Sequence, residues 1–151
     1  MPQALVKKNI YCSKEKLIDL VLDIEKYPEF IPYCLSSKIY EKKKQGDTIK
    51  IIADLTIGKG IFKDTYKSDV KYHIKQSSIN VTNIDGPLKY LQNNWNFVEK
   101  GKSTEVSFKV DFELKNKFLN LLMDRSFEYG LNKIADAFQK RAEELFADTQ
   151  N

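Results

Sequence analysis

The chain has 151 residues, 42% hydrophobic and 30% charged, and its 25 Lys and Arg against 21 Asp and Glu leave a formal net charge of +4. That length predicts one domain, residues 1–151, burying about two-thirds of its unfolded surface without disulfides or metals, and the apolar content excludes disorder. No apolar run approaches the roughly 20 residues a membrane-spanning helix needs, and the lone His73 excludes a multi-histidine metal site within one chain.

The first element is a short strand-like segment, Ala4 to Tyr11, without the charged-then-apolar architecture of a signal peptide. Cys12 and Cys34 do not form a C-x-x-C pair and read as reduced thiols at or near the core, as expected in the cytoplasm. Ser13 is a good helix N-cap, with Glu15 in the first turn. The helix that follows carries Glu15, Asp19 and Asp23 as its polar stripe, and Pro28 is expected to end it.

Beyond the aromatic and proline segment Tyr27 to Tyr33 the period changes to two. Ile49, Ile51, Ala53, Leu55 and Ile57 alternate with mostly polar neighbours, and Gly58-Lys59-Gly60 predicts a tight turn. Phe62, Tyr66, Val70 and Tyr72 then share a face, Ile79 and Val81 mark another strand, and Leu91, Asn93, Trp95 and Phe97 line one side of the next. After a turn at Gly101, Val106, Phe108, Val110, Phe112 and Leu114 alternate with Glu105, Ser107, Lys109, Asp111 and Glu113. The final third is helical, with Leu119, Leu122, Met123, Phe127, Leu131, Ile134, Phe138 and Leu145 as its apolar stripe. The expected fold is α+β: a curved antiparallel sheet wrapped around a long C-terminal helix, with short helices after the first strand, a helix-grip arrangement.

Such a sheet often leaves an elongated apolar cavity, although the large inner-face aromatics serve equally well as a packed core. Asn93 needs a partner there, whether backbone, water or a ligand. Asp64 and Ser68 are the other polar groups expected on the inner face, yet no nucleophile–base–orienter set assembles from them, and Gly58-Lys59-Gly60 lacks the spacing of a phosphate loop. Gly130 in mid-helix permits either close helix–sheet approach or room for a ligand. Apolar side chains on nearly every side of the helix between Phe118 and Met123, beside Lys115, Lys117 and Arg125, fit either burial under loops or a membrane-touching end.

The charge is uneven. Lys38 to Lys75 holds ten lysines against five acids, a local +5. Lysines of this kind discourage pairing at exposed strand edges, and they also suit anionic lipid or RNA. With only Arg125 and Arg141 as arginines, base-specific reading of DNA is not expected.

Three segments also carry a resemblance: Tyr27-Pro28-Glu29-Phe30-Ile31-Pro32-Tyr33-Cys34, then Gly86-Pro87-Leu88-Lys89-Tyr90-Leu91 leading to Trp95-Asn96-Phe97, then Asp111-Phe112-Glu113 before the long helix. Together they resemble the coenzyme Q-binding branch of the START-like (polyketide cyclase/dehydrase and lipid transport) superfamily, whose bacterial members are also described as ribosome association toxins. The resemblance covers essentially the whole chain. It implies a single START-like domain, residues 1–151, that binds a hydrophobic isoprenoid ligand without catalysis. Ubiquinone (coenzyme Q) leads, carried in support of respiratory electron transport, with no further cofactor required. The alternative it implies is binding to the large ribosomal subunit and blocking of subunit joining. A greasy tunnel for such a quinone would draw on Tyr27, Phe30 and Pro32 of the lip and on Phe62, Tyr66, Asn93, Trp95 and Phe97 of the middle strands. Val110 and Phe112, with Phe127, Leu131 and Ile134 of the helix, would complete its walls. Tyr66 or Asn93 would donate to a ring carbonyl, and Tyr33, Gly86 and Pro87 would form the portal. The expected setting is the cytoplasm, with transient contact at the inner face of the membrane.

Overall fold

The computed structural model describes residues 3–59 and 61–146, with the side chains at 59, 62, 119, 120 and 122–126 outside that description. Seven strands form one antiparallel sheet: β1 (Gln3–Ile10), β2 (Cys34–Gln45), β3 (Thr48–Lys59), β4 (Phe62–His73), β5 (Ser78–Asp85), β6 (Leu88–Lys100) and β7 (Ser103–Leu114). Strands β2 to β7 run as a meander, and β1 closes onto β7, giving the order β1-β7-β6-β5-β4-β3-β2. Helix α1 (Lys14–Leu22) and a 3-10 segment (Ile24–Glu29) carry the chain from one sheet edge to the other. Helix α2 (Lys117–Phe146) packs against β1, β7 and α1. This is the helix-grip arrangement that the periodicities predict. Extra residues in β2, β5 and β6 shift the register and bend the sheet, as bulges do.

Ser13 caps α1 as expected, its Oγ accepting from the Lys16 backbone N–H at 3.4 Å. Leu17, Ile18, Leu20, Val21 and Leu22 are buried, while Glu15, Asp19 and Asp23 face water. The end of the helix differs from expectation: α1 stops at Leu22, and Pro28 lies inside the 3-10 segment. A proline ring clashes with the carbonyl four residues before it, here that of Ile24, so the α-helix ends ahead of that residue.

In α2 the buried stripe is Leu131, Ala135, Phe138 and Ala142. Leu145, expected on that stripe, is 48% exposed. A straight helix of 3.6 residues per turn drifts by about 20° per heptad, so the seven-residue series from Leu131 through Phe138 rotates out of the core. The stripe residues Leu119, Leu122 and Met123 have side chains outside the described set, as do Phe62 and Arg125; Gly60 of the expected turn lies outside it altogether. A Cβ at Gly130 would meet nothing within 4 Å, so close approach to the sheet does not account for this glycine.

Candidate functional site

The inner face is divided by an aromatic wall. Trp95 of β6 lies 4.3 Å from Phe108 of β7, centroid to centroid, and meets Phe138 of α2 edge-on at 5.3 Å. On one side, between β1, α1, β7 and α2, lies a cavity of only about 10 Å³. On the other lies an apolar cavity of about 180 Å³. Its floor is Ala53, Leu55 and Ile57 of β3, Ser68 and Val70 of β4, and Ile79 and Val81 of β5. Asn93, Trp95 and Phe108 continue it, and Val21, Ile24, Tyr27, Ile31, Cys34, Ile134 and Phe138 cover it.

The covering lip is pinned at several points. Ser37 Oγ donates to the Ile24 carbonyl at 2.8 Å, and the Ile39 N–H donates to Glu25 Oε2 at 3.0 Å, which fastens the 3-10 segment to β2. The Tyr27 hydroxyl donates to the Val21 carbonyl. Burial, reinforced by Cys34 and Asp23, drives that hydroxyl's pKa far above its ordinary value, so Tyr27 is a neutral donor already in use. Phe30 stands edge-on to Tyr27 and to Phe138, and the Arg141 guanidinium lies over its ring at 5.2 Å. Arg141 Nη2 reaches Glu29 Oε1 at 2.8 Å, tying the lip to α2.

Among the expected wall residues, Tyr27, Asn93, Trp95 and Ile134 line the cavity. Phe30 and Pro32 are half-buried in the lip outside the lining, and Tyr66 is half-buried beside Leu55, its pKa raised by burial and then by Asp64. Phe97 stacks on Trp95 at 6.2 Å, and Val110, Phe112 and Leu131 are buried in the core away from the lining. Phe127 meets Phe112 edge-on at 4.8 Å, also away from it. The Phe62 side chain is outside the described residues.

Short side chains mark the open space instead. Ala53, Ser68, Val70 and Val81 line it, with Val81 level with Asn93 and Val110, whereas the next inner-face row along β6 and β7 carries Trp95 beside Phe108. Of these four only Ser68 is expected on sequence grounds, as a polar group of the inner face. The signal in the sequence is the short side chain at inner-face positions 53, 68, 70 and 81.

The expected portal residues do not line the cavity, but they mark one end of the molecule. Tyr33 is held at φ 65°, and its carbonyl accepts from Gly58 N–H at 2.9 Å. Gly86 sits at φ +124°, where a Cβ would lie 2.7 Å from the Thr65 carbonyl oxygen, so only glycine fits between the β5–β6 turn and β4. The Pro87 carbonyl accepts from the Lys115 N–H at 2.9 Å, bringing the start of α2 to the same end. Around it Ile61 is 88% exposed, Phe118 67% and Leu121 68%, with Tyr33, Ile84 and Tyr129 also exposed. Lys63, Lys89, Lys115 and Lys117 stand among them, exposed as well.

No helix among the described residues is long and apolar enough to cross a membrane. Nor do three or more His, Cys, Asp or Glu side chains converge there as a metal site would require.

An antiparallel sheet gripping a long helix around a mostly apolar cavity defines the helix-grip class. The chain belongs to the polyketide cyclase / dehydrase and lipid transport family, which it matches over residues 13–139. It is 32% identical over 134 residues to a ribosome association toxin, RatA, of Rickettsia prowazekii, covering 87% of this chain and 89% of that protein. It is 29% identical over 148 residues to the mitochondrial coenzyme Q-binding protein COQ10 of Dictyostelium discoideum, covering 95% of this chain and 70% of that protein. The fold also matches the Zhui aromatase/cyclase from Streptomyces sp. R1128 with a TM-score of 0.80 at 11% identity, over 94% of this chain and 93% of that one. Proteins similar in sequence are thus named both as a toxin and as a binder, and the same fold also occurs in an enzyme.

Proposed function

We propose that the chain binds a hydrophobic isoprenoid ligand, ubiquinone first, and carries it without catalysis. The observation that supports this best is the cavity itself, apolar apart from a few groups and covered by a lip that only side-chain contacts and hydrogen bonds hold down. The similarity to a protein named for coenzyme Q binding, over nearly the whole chain, points the same way. At about 180 Å³ the space falls below the roughly 300–1,000 Å³ of typical small-molecule pockets. A long tail would therefore need the lip to move, or would run outside. The exposed apolar and lysine-bearing rim supplies a surface for touching an anionic membrane while the ligand passes. Mass spectrometry of the organic extract from natively expressed protein tests the reading. A retained quinone is expected; folded protein that repeatedly yields no isoprenoid lipid would sink it.

A second reading, ribosome binding, draws on Lys42, Lys43 and Lys44, all exposed along the edge strand β2, and on the similarity to proteins named as ribosome association toxins. It predicts co-sedimentation with large ribosomal subunits that weakens with salt and with charge reversal at these lysines. Absence of co-sedimentation at low salt removes it.

A further inference from the structure

We propose that the cavity seats a single six-membered ring bearing two hydrogen-bond acceptors on opposite sides, held by Ser68 and Asn93. This rests on the reading of the chain as a carrier of hydrophobic ligands, and it specifies which part of the ligand goes inside.

Size decides first. An apolar cavity of about 150 Å³ in another protein accommodates benzene, so about 180 Å³ takes one substituted ring and not a polyprenyl chain. Polarity decides next. Most donors on the wall are already committed: the Tyr27 hydroxyl to the Val21 carbonyl, the Trp95 indole N–H to Asn93 Oδ1 at 2.9 Å, and the Cys34 thiol to the Ser36 carbonyl at 3.8 Å. Asn93 Nδ2 donates to the Lys109 carbonyl at 3.1 Å. These neighbours fix which way the amide faces, because a flip would set its NH₂ against the indole N–H. One Asn93 N–H is then left over, since an amide nitrogen has two.

Ser68 is the other group. It lines the cavity at 8% exposure, and no hydrogen bond to its hydroxyl is found among the described residues. A buried hydroxyl without a partner is costly, and in a cavity the natural partner is what fills it.

The spacing of the two names the ligand's shape. Asn93 pairs with Val81 and Val81 with Val70, which places Asn93 two strands from β4 and one two-residue step along from Ser68. With strands about 4.8 Å apart and a rise of about 3.3 Å per residue, the two backbone positions lie roughly 12 Å apart across the concave face, with Val81 on the strand between them. The two side chains and a hydrogen bond of about 2.8 Å at each end span part of that distance, and one ring lying over Val81 fills the rest. Such a ring turns opposite sides to Ser68 and Asn93, so it meets both with one acceptor at each end. Asn93 can only donate through that N–H, so the ligand atom facing it is an acceptor, a carbonyl rather than an ammonium. Ser68 stands opposite Ala53 on β3, and Leu55 and Ile57 lead from there toward Cys34 at the lip, which gives an apolar tail its way out.

The test uses the full chain stripped of lipid, with three probes: 2,3-dimethoxy-5-methyl-1,4-benzoquinone, which is a ring without a tail; decylubiquinone; and farnesol, a tail without the ring. Trp95 is the chain's only tryptophan and lies in the cavity wall, so quinone seating reads out as quenching of its fluorescence. Farnesol is read by competition. The tailless ring is expected to bind, more weakly than decylubiquinone, with its infrared carbonyl band shifted by hydrogen bonding. Ser68→Ala should weaken both quinones about five- to tenfold and return part of that shift, leave farnesol unchanged, and be rescued by Ser68→Thr. An unshifted carbonyl band in the unmodified chain overturns the proposal without reference to any variant. So does farnesol binding where the tailless ring does not, although the chain then remains a carrier of apolar ligands. If none of the three binds, the carrier reading falls together with the ring site.

Discussion

The two sides of the aromatic wall are built from the same sheet and end differently. On the side of β1, α1, β7 and α2 the cavity measures about 10 Å³; on the side of β3, β4 and β5 it measures about 180 Å³. The difference is one of covering as much as of residue size. Helix α2 packs on β1 and β7 and reaches over the far side only with Ile134 and Phe138; the rest of that roof is Val21, the short 3-10 segment and the lip, which leave space above Ala53 and Ser68. A packed half gives the molecule its stability, and the half left open is free to hold something else.

The largest test of this contrast is Phe112→Ala, deep in the core and against Phe127. It should cost about 3–5 kcal/mol in urea unfolding, the usual range for a buried phenylalanine. A loss below about 1 kcal/mol would show that the packed half is not close-packed. Next comes one substitution made twice. Ala142→Leu, at a fully buried position of α2, should destabilise by about 1–3 kcal/mol through overpacking. Ala53→Leu grows into open space, so it should shift stability by less than about 1 kcal/mol while lowering quinone retention at least about tenfold. Equal destabilisation by the two would erase the distinction between the halves.

The cysteines give a finer comparison. Burial, then Glu143, pushes Cys12 up to about 11, and burial raises Cys34, which lines the cavity. At pH 8 Cys12 therefore carries on the order of a hundredfold less thiolate than an ordinary cysteine, and alkylation in the folded chain should be slow. Bound quinone should slow Cys34 further and leave Cys12 unaffected; protection of both, or of neither, would place the ligand elsewhere.

The smallest effect is expected at the lip. The Arg141 hydrogen bond, followed by the Lys26 charge, lowers the Glu29 pKa from its usual value. With the folded value below the unfolded one, this contact stabilises fully above the ordinary glutamate pKa of about 4.3 and loses its effect as pH falls through the folded value. The difference in urea midpoint between the chain and Glu29→Gln should thus be present at neutral pH and vanish in acid. A difference that persists in strong acid would assign it to something other than this ion pair.

Strand alternation made the sheet legible in sequence because one face is wet and the other buried: Val106, Phe108, Val110 and Phe112 could only be inner-face residues. The Ser13 cap and the aspartates of α1 were equally clear. The cavity was less so, because side-chain bulk reads as lining when it is in fact filling. Phe97, Phe112 and Phe127 are large enough to close the space around them, while Ala53 and Val81 leave it open by being small. Whether two inner-face residues enclose a void or meet depends on what covers them, and that is a property of α2's placement rather than of either strand. Phe138 belongs to the expected helix stripe, yet its place between the packed half and the cavity follows only from the angle at which α2 crosses the sheet.

The pairing of β1 with β7 has a consequence for how the molecule is made. Gln3 lies opposite Asp111, so the first strand has no partner until more than a hundred residues have followed it, and α2 covers the sheet later still. Pairings between such distant segments make folding slow, because a long loop must close before any contact rewards it. The meander β2 to β7 can assemble from neighbours as it leaves the ribosome, whereas the cavity's cover is incomplete until α2 brings Ile134 and Phe138. A ligand held in this cavity would therefore be enclosed only by the finished chain.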